Sequence, residues 1–213
     1  MLNLSVPEII SRVITLVIAF TVHEFSHAFM ADRFGDDTAR LNGRLTLNPL
    51  KHLDIIGSLM LIMMGFGWAK PVPINPSRLR QHSKAAVMWV SVAGPASNLA
   101  MALCASILIR FNFIPMTASG KILPSPFEFV LTFIFINILL LVFNLIPISP
   151  LDGEKVLEFL LPEQLSASYA KLKPYGPLLL LVIVFVLPRF GFDIMSLIMN
   201  PVIKGFQYIL FGS

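Results

Sequence analysis

Three predominantly apolar runs, Ile9 to Ala31, Ala86 to Ile109 and Phe127 to Ile148, each reach the ~20 residues that a helix needs to cross a bilayer. Runs of that length leave little choice of fold. In hydrocarbon every backbone N–H and C=O has to be satisfied internally, and a helix does this within a single segment. The rest of the chain agrees: 56% of its 213 residues are hydrophobic, 13% are charged, and the mean hydropathy is +0.79. A soluble domain of this size has no use for so much apolar surface. A fourth apolar segment starts near Pro177 and is interrupted by Pro188 and Arg189, which leaves its end open. Ile55 to Gly67 is apolar but too short to span, as expected of a re-entrant segment. The expected fold is therefore an all-α polytopic membrane protein. It has three core transmembrane helices, a fourth C-terminal hydrophobic segment, and a short re-entrant or extended segment after the first helix.

The first run has neither a basic leader nor a small-residue cleavage site, so it is expected to remain in the mature protein. No repeat, low-complexity tract or linker divides residues 1–213, which read as one membrane domain. The net charge of +4 is unevenly placed. Arg33, Arg40, Arg44, Lys51, Lys70, Arg78, Arg80 and Lys84 lie between the first two spans, and Lys155, Lys171 and Lys173 follow the third. The positive-inside rule puts both loops in the cytoplasm. These charges flank membrane segments and form no nucleic-acid-binding motif, so no nucleic-acid partner is expected.

The chemistry begins with His23-Glu24-Phe25-Ser26-His27, near the end of the first span. Imidazoles four residues apart share one helical face and can reach a single ion. A Glu next to the first of them is in the register of a metalloprotease general base. Ionisable groups inside a membrane helix cost ~2.5 to 3.5 kcal/mol each at the centre and are functional by default. Cys104 is the only cysteine, which rules out a thiolate cluster, so a metal would rest on His and carboxylate.

A catalytic zinc usually takes three protein ligands. Arg33 stands where the extended zincin motif would have a third His. His52, His82 and Asp152 are the remaining candidates. Asp152 is favoured, because it follows the cytoplasmic end of the third span and so shares the depth of His27. Asp is also a good helix N-cap, and spacing alone weighs the two roles equally for Asp152.

The His23 to His27 string, Gly94-Pro95-Ala96-Ser97-Asn98, and Asn144 through Leu151-Asp152-Gly153 together resemble the site-2 protease family. Asn48-Pro49-Leu50-Lys51-His52-Leu53-Asp54 and Gly67-Trp68-Ala69-Lys70-Pro71-Val72-Pro73 resemble its minimal bacterial and archaeal members. The resemblance implies a membrane-embedded zinc metalloprotease with one Zn2+ held by His23, His27 and Asp152, and with Glu24 as catalytic base. It implies transmembrane proteins or peptides as substrates, and it puts Asn144 near the active site as an oxyanion or substrate contact. Asn98 is a second such candidate, although either amide could instead make an ordinary interhelical hydrogen bond. Ile55 and Glu154 depart from the family pattern without touching the inferred ligands, and no PDZ module is expected within residues 1–213.

Two further expectations come from the residues themselves. Asp54 can cap a helix starting at Ile55. Gly67 to Asn75, where Trp68, Lys70, Val72 and Ile74 alternate with Pro71 and Pro73, is expected to be either a plain surface loop or an extended edge on which unwound substrate adds as a strand. A transporter or receptor using His and Asp as an ion pathway is the competing function, but it gives no reason for Glu24 to stand in that register.

Overall fold

In the computed structural model, which describes residues 4–54, 56, 57, 60 and 68–211, the chain is helical almost throughout. Helix α1 (Val6–Arg33) starts at a capping box. The Glu8 carboxylate accepts from the Ser5 N–H at 2.7 Å, and the Ser5 hydroxyl faces the Glu8 N–H, so two otherwise orphaned donors are satisfied. A short α2 (Thr38–Leu41) and a 3-10 turn at Pro49–Lys51 lead to the extended segment 68–75 and then to α3 (Pro76–His82). Helices α4 (Ala86–Arg110) and α5 (Pro126–Asn144) follow, the latter capped by Ser125.

Helices α1, α4 and α5 pack against one another as a three-helix core. Their contacts rest on small residues. Ala19, Ala28, Ala31, Ala86, Ala102 and Ser91 are all buried, whereas Ile14, Phe29, Trp89, Leu103 and Phe135 point outward. A soluble bundle would arrange these the other way round. In lipid the outward apolar side chains meet equally apolar tails, and helices associate through the close approach that Ala, Gly and Ser permit.

Beyond α5 the chain leaves helix between Leu145 and Leu151, where Pro147 and Pro150 prevent its continuation. Amphipathic α6 (Asp152–Leu160) and α7 (Glu163–Ala170) come next. The apolar stretch after Pro177 resolves into two helices long enough to span. Helix α8 (Lys173–Phe190) widens to π-type winding over Val182–Val186 and tightens to a 3-10 turn at Leu187–Phe190 around Pro188. Gly191 then adopts φ +84, which glycine tolerates without penalty, and the chain turns into α9 (Ile194–Phe211). Among the described residues, five helices are therefore long and apolar enough to cross a membrane. Phe206 and Leu210 of α9 complete a cluster with Ala102, Ala105, Ile109, Val130, Ile134 and Ile138.

Most of the apolar segment from Ile55 to Gly67, expected to be re-entrant, lies outside the described residues. At its start, Asp54 accepts from the Gly57 N–H at 2.8 Å, which is the capping contact expected of it. The following segment from Trp68 to Asn75 is extended and held at both ends. Ala69 bridges antiparallel to Leu53, the Lys70 N–H donates to His52 O at 2.8 Å, and the Asn75 N–H donates to Asp36.

Candidate metal centre

Helix α1 carries His23 and His27 on its buried face against α4. Two backbone decisions bring Asp152 to the same point: the proline-broken turn that ends α5, and the start of α6 immediately after it. The Asp152 Oδ2 atom lies 3.2 Å from His23 Nε2 and 3.2 Å from His27 Nε2, and the two Nε2 atoms are 3.0 Å apart. Among the described residues this is the one group of three His, Cys, Asp or Glu side chains with converging ligand atoms.

The hydrogen bonds behind the rings determine what the converging atoms can do. His27 Nδ1 is 2.7 Å from the Val90 carbonyl, which can only accept, so Nδ1 carries the proton and Nε2 presents a lone pair. His23 Nδ1 is 2.6 Å from Asn98 Oδ1, with the same consequence. In the neutral form of each ring, the Nε2 lone pair then faces the Asp152 carboxylate and the other ring's Nε2. Asp152 Oδ2 is buried and lacks a hydrogen-bond donor. Three ligand atoms converging in this way, one of them a buried carboxylate oxygen with no hydrogen-bond donor, fit a cation, and an N2O set of this kind suits zinc.

Gly94 leaves room for the rings. A methyl group at that position would fall within 2.6 Å of His23 Nε2 and closer still to His27 Nε2, so any side chain there would displace both imidazoles. Pro95 and Asn98 follow on the same buried stretch of α4.

Glu24, one residue from His23, is buried, and its Oε2 accepts from the Val72 N–H at 3.0 Å. The segment bearing Val72 is anchored by Arg44, whose guanidinium donates to the carbonyls of Pro71 at 3.1 Å and Lys70 at 2.5 Å. Burial pulls the Arg44 pKa below its usual range and the Glu24 charge opposes that shift. Sequence reasoning missed this tie between strap and base: Arg44 stands in a loop of eight cations, and no local pattern separates it from the other seven.

A largely apolar cavity of about 590 Å³ opens beside these groups. Phe20, Val72, Phe143, Asn144 and Leu181 line it together with His23, Glu24, His27 and Asp152. Asn144 thus reaches the cavity, and its amide donates to Leu140 O at 3.0 Å. Asn98 does not line it. Both ends of the Asn98 amide are engaged inside the protein, which leaves no group for a substrate or an oxyanion. His52 and His82 are also elsewhere: His52 Nε2 is 2.7 Å from Thr46 O, and His82 packs edge-on against Phe34. The N-cap alternative for Asp152 is overturned, because Leu151 occupies the cap position and Asp152 is the first helical residue, with no side-chain cap bond.

Several membrane-spanning helices around an H-E-x-x-H pair and a converging carboxylate define a polytopic membrane protein with a metalloprotease-type site. The comparisons agree. Residues 113–186 match the model of peptidase family M50. The chain is 42% identical over 181 residues to a Bacillus subtilis protein that carries the name of a candidate zinc metalloprotease, YwhC, covering 83% of this chain and 80% of that one. It is 35% identical over 192 residues to Rip2 of Mycolicibacterium smegmatis, named in the same terms, covering 84% of this chain and 68% of the relative. For Rip2 of Mycobacterium tuberculosis H37Rv the identity is 32% over 176 residues, with 81% and 65% covered. No solved structure matches significantly. The chain belongs to peptidase family M50, the site-2 proteases, and is a multi-pass membrane zinc metalloendopeptidase.

Proposed function

We propose that this protein is an intramembrane endopeptidase that hydrolyses peptide bonds in or near transmembrane segments of membrane-protein substrates, with one Zn2+ held by His23, His27 and Asp152. The observation that carries the reading is the convergence of three ligand atoms beside Glu24, at the wall of an apolar cavity. Bound zinc supplies Lewis acidity, polarising the scissile carbonyl and bringing the pKa of water to about 7. Glu24 takes the proton of the attacking water and returns it to the leaving amine. Asn144, on the cavity wall, is the amide we assign to contact with the substrate backbone or the developing oxyanion.

A substrate helix hides its peptide bonds in its own hydrogen bonds, so it must unwind before a carbonyl reaches the site. The strap from Trp68 to Asn75 is suited to receive the unwound chain, since it is extended, lines the cavity and lies against Glu24. Purified protein should cleave a single-span model substrate, lose that activity to a chelator and regain it with zinc. Photocrosslinkers at Trp68 and Val72 should capture the same substrate in a Glu24→Gln background. Capture only at lipid-facing controls such as Leu103 would reject the strap as the binding edge.

The active site is proposed to lie near the cytoplasmic face. The basic loop between α1 and α4 and the segment after Asp152 supply the positive charge that the inside rule reads. Single cysteines at Arg40, Arg80 and Lys171, in a Cys104→Ser background, should be protected from a membrane-impermeant thiol reagent in intact cells. Labelling from outside would invert the topology.

A further inference from the structure

Asn137, in the middle of α5, is fully buried, reaches neither the cavity nor a ligand atom, and belongs to none of the motifs above. Its amide nitrogen donates to the Phe133 carbonyl at 2.8 Å. Its oxygen accepts from the Asn98 amide nitrogen at 2.9 Å, and Asn98 Oδ1 lies 2.6 Å from His23 Nδ1. A backbone carbonyl only accepts, so this one group determines the sense of every bond in the series. The Asn137 NH2 must face Phe133, its oxygen must face Asn98, the Asn98 NH2 must face Asn137, and the Asn98 oxygen must face His23.

We infer that Asn137 is a positioning residue for the metal centre: by fixing which way the Asn98 amide points, it holds His23 in the tautomer whose Nε2 can bind zinc. An amide is nearly symmetric in shape, and alone at position 98 it could rotate by half a turn to present its NH2 to His23 Nδ1. The proton would then move to Nε2, and His23 could not act as a ligand. His27 needs no such relay, because its Nδ1 meets the Val90 carbonyl directly and that group has one polarity. Partners behind the ring commonly set the orientation and basicity of a ligating His, and their loss lowers metal affinity by ~10 to 100-fold. Here the partner itself needs a partner, and α5 supplies it.

The inference rests on the zinc reading of His23, and the test separates the two. In the purified full-length protein, zinc affinity is measured by competition with a chromogenic chelator, independently of cleavage. Asn137→Leu removes the acceptor for Asn98 and should weaken zinc binding ~10 to 100-fold. Asn137→Asp keeps an oxygen that can accept from the Asn98 NH2 and should bind zinc within a few fold of the parent. The decisive variant is Asn98→Asp, whose two oxygens accept from His23 whichever way the carboxylate turns. In that background Asn137→Leu should have no further effect.

Loss with Asn137→Leu together with its suppression by Asn98→Asp supports the relay. Unchanged affinity in Asn137→Leu overturns it, as does a loss that Asn98→Asp fails to suppress. Should Asn137→Leu not fold, Asn137→Asp carries the test, and a tenfold loss there overturns the inference. His23→Ala and His27→Ala identify the other failure: if both retain zinc, the metal assignment itself is wrong. If both lose zinc while the Asn137 variants keep it, only the relay fails.

Discussion

Glu24→Gln is expected to retain zinc and thermal stability while losing cleavage by ~10²- to 10⁴-fold, the range a positioned general base contributes. The substitution isolates proton transfer because of what the carboxylate touches. Glu24 Oε2 accepts from the Val72 N–H at 3.0 Å, and a glutamine carbonyl can accept the same bond, so the strap stays in place. The side chain keeps its volume in a buried position. What disappears is the negative charge and the capacity to take a proton. Glu24→Ala loses the strap contact as well, and the difference between the two variants reports what that contact adds. Zinc stoichiometry, unfolding temperature and cleavage of a model transmembrane substrate are the measurements. Near-normal turnover by Glu24→Gln would end the base assignment, and unfolding of the variant would mean that the charge is structural, through its neighbour Arg44.

The three core spans were legible because each is an apolar run of spanning length, and α1, α4 and α5 lie where those runs do. The shape of the C-terminal part was not. Hydropathy does not reveal how a helix ends at Pro188, and the resolution into α8 and α9 depends on a 3-10 turn followed by Gly191 at positive φ. His23 and His27 were legible from register, one turn apart, whereas spacing weighed Asp152 equally as ligand and as cap, and its place in the set came from the resemblance to the site-2 proteases.

The groups that orient them were harder to see. Asn98 was noticed as an amide in an apolar helix, but sequence cannot tell whether such an amide faces a substrate or the back of a ligand. Asn137 was not noticed, although it is as polar and as buried as Asn98. Its significance depends on a contact between two residues, on different helices, that stand 39 apart in the chain. Arg44 and Val72 are further cases, because the bonds that make them relevant run through backbone groups that carry no sequence signal.

Asp152→Asn should abolish stable zinc binding and cleavage while leaving the apo protein folded. Two roles competed for this residue in the sequence, and the geometry already separates them. The cap position of α6 is Leu151, and the Asp152 side chain makes no bond to the first turn of the helix. Its Oδ2 points instead at both imidazoles, 3.2 Å from each Nε2. Asparagine has nearly the same shape but lacks the anionic charge that a carboxylate brings to a site with two neutral imidazoles. The stability comparison has to be made in chelator, since zinc binds only the folded form and would otherwise add its own binding free energy to the parent. Under those conditions a capping role predicts that Asn is silent while Ala costs ~0.5 to 2 kcal/mol. A ligand role predicts that the Asn and Ala variants unfold alike and that both fail to take up zinc, as His27→Ala does. An Asp152→Asn protein with full zinc content and normal cleavage would remove Asp152 from the centre. The search would then pass to His52, whose buried Nδ1 has no hydrogen-bond partner.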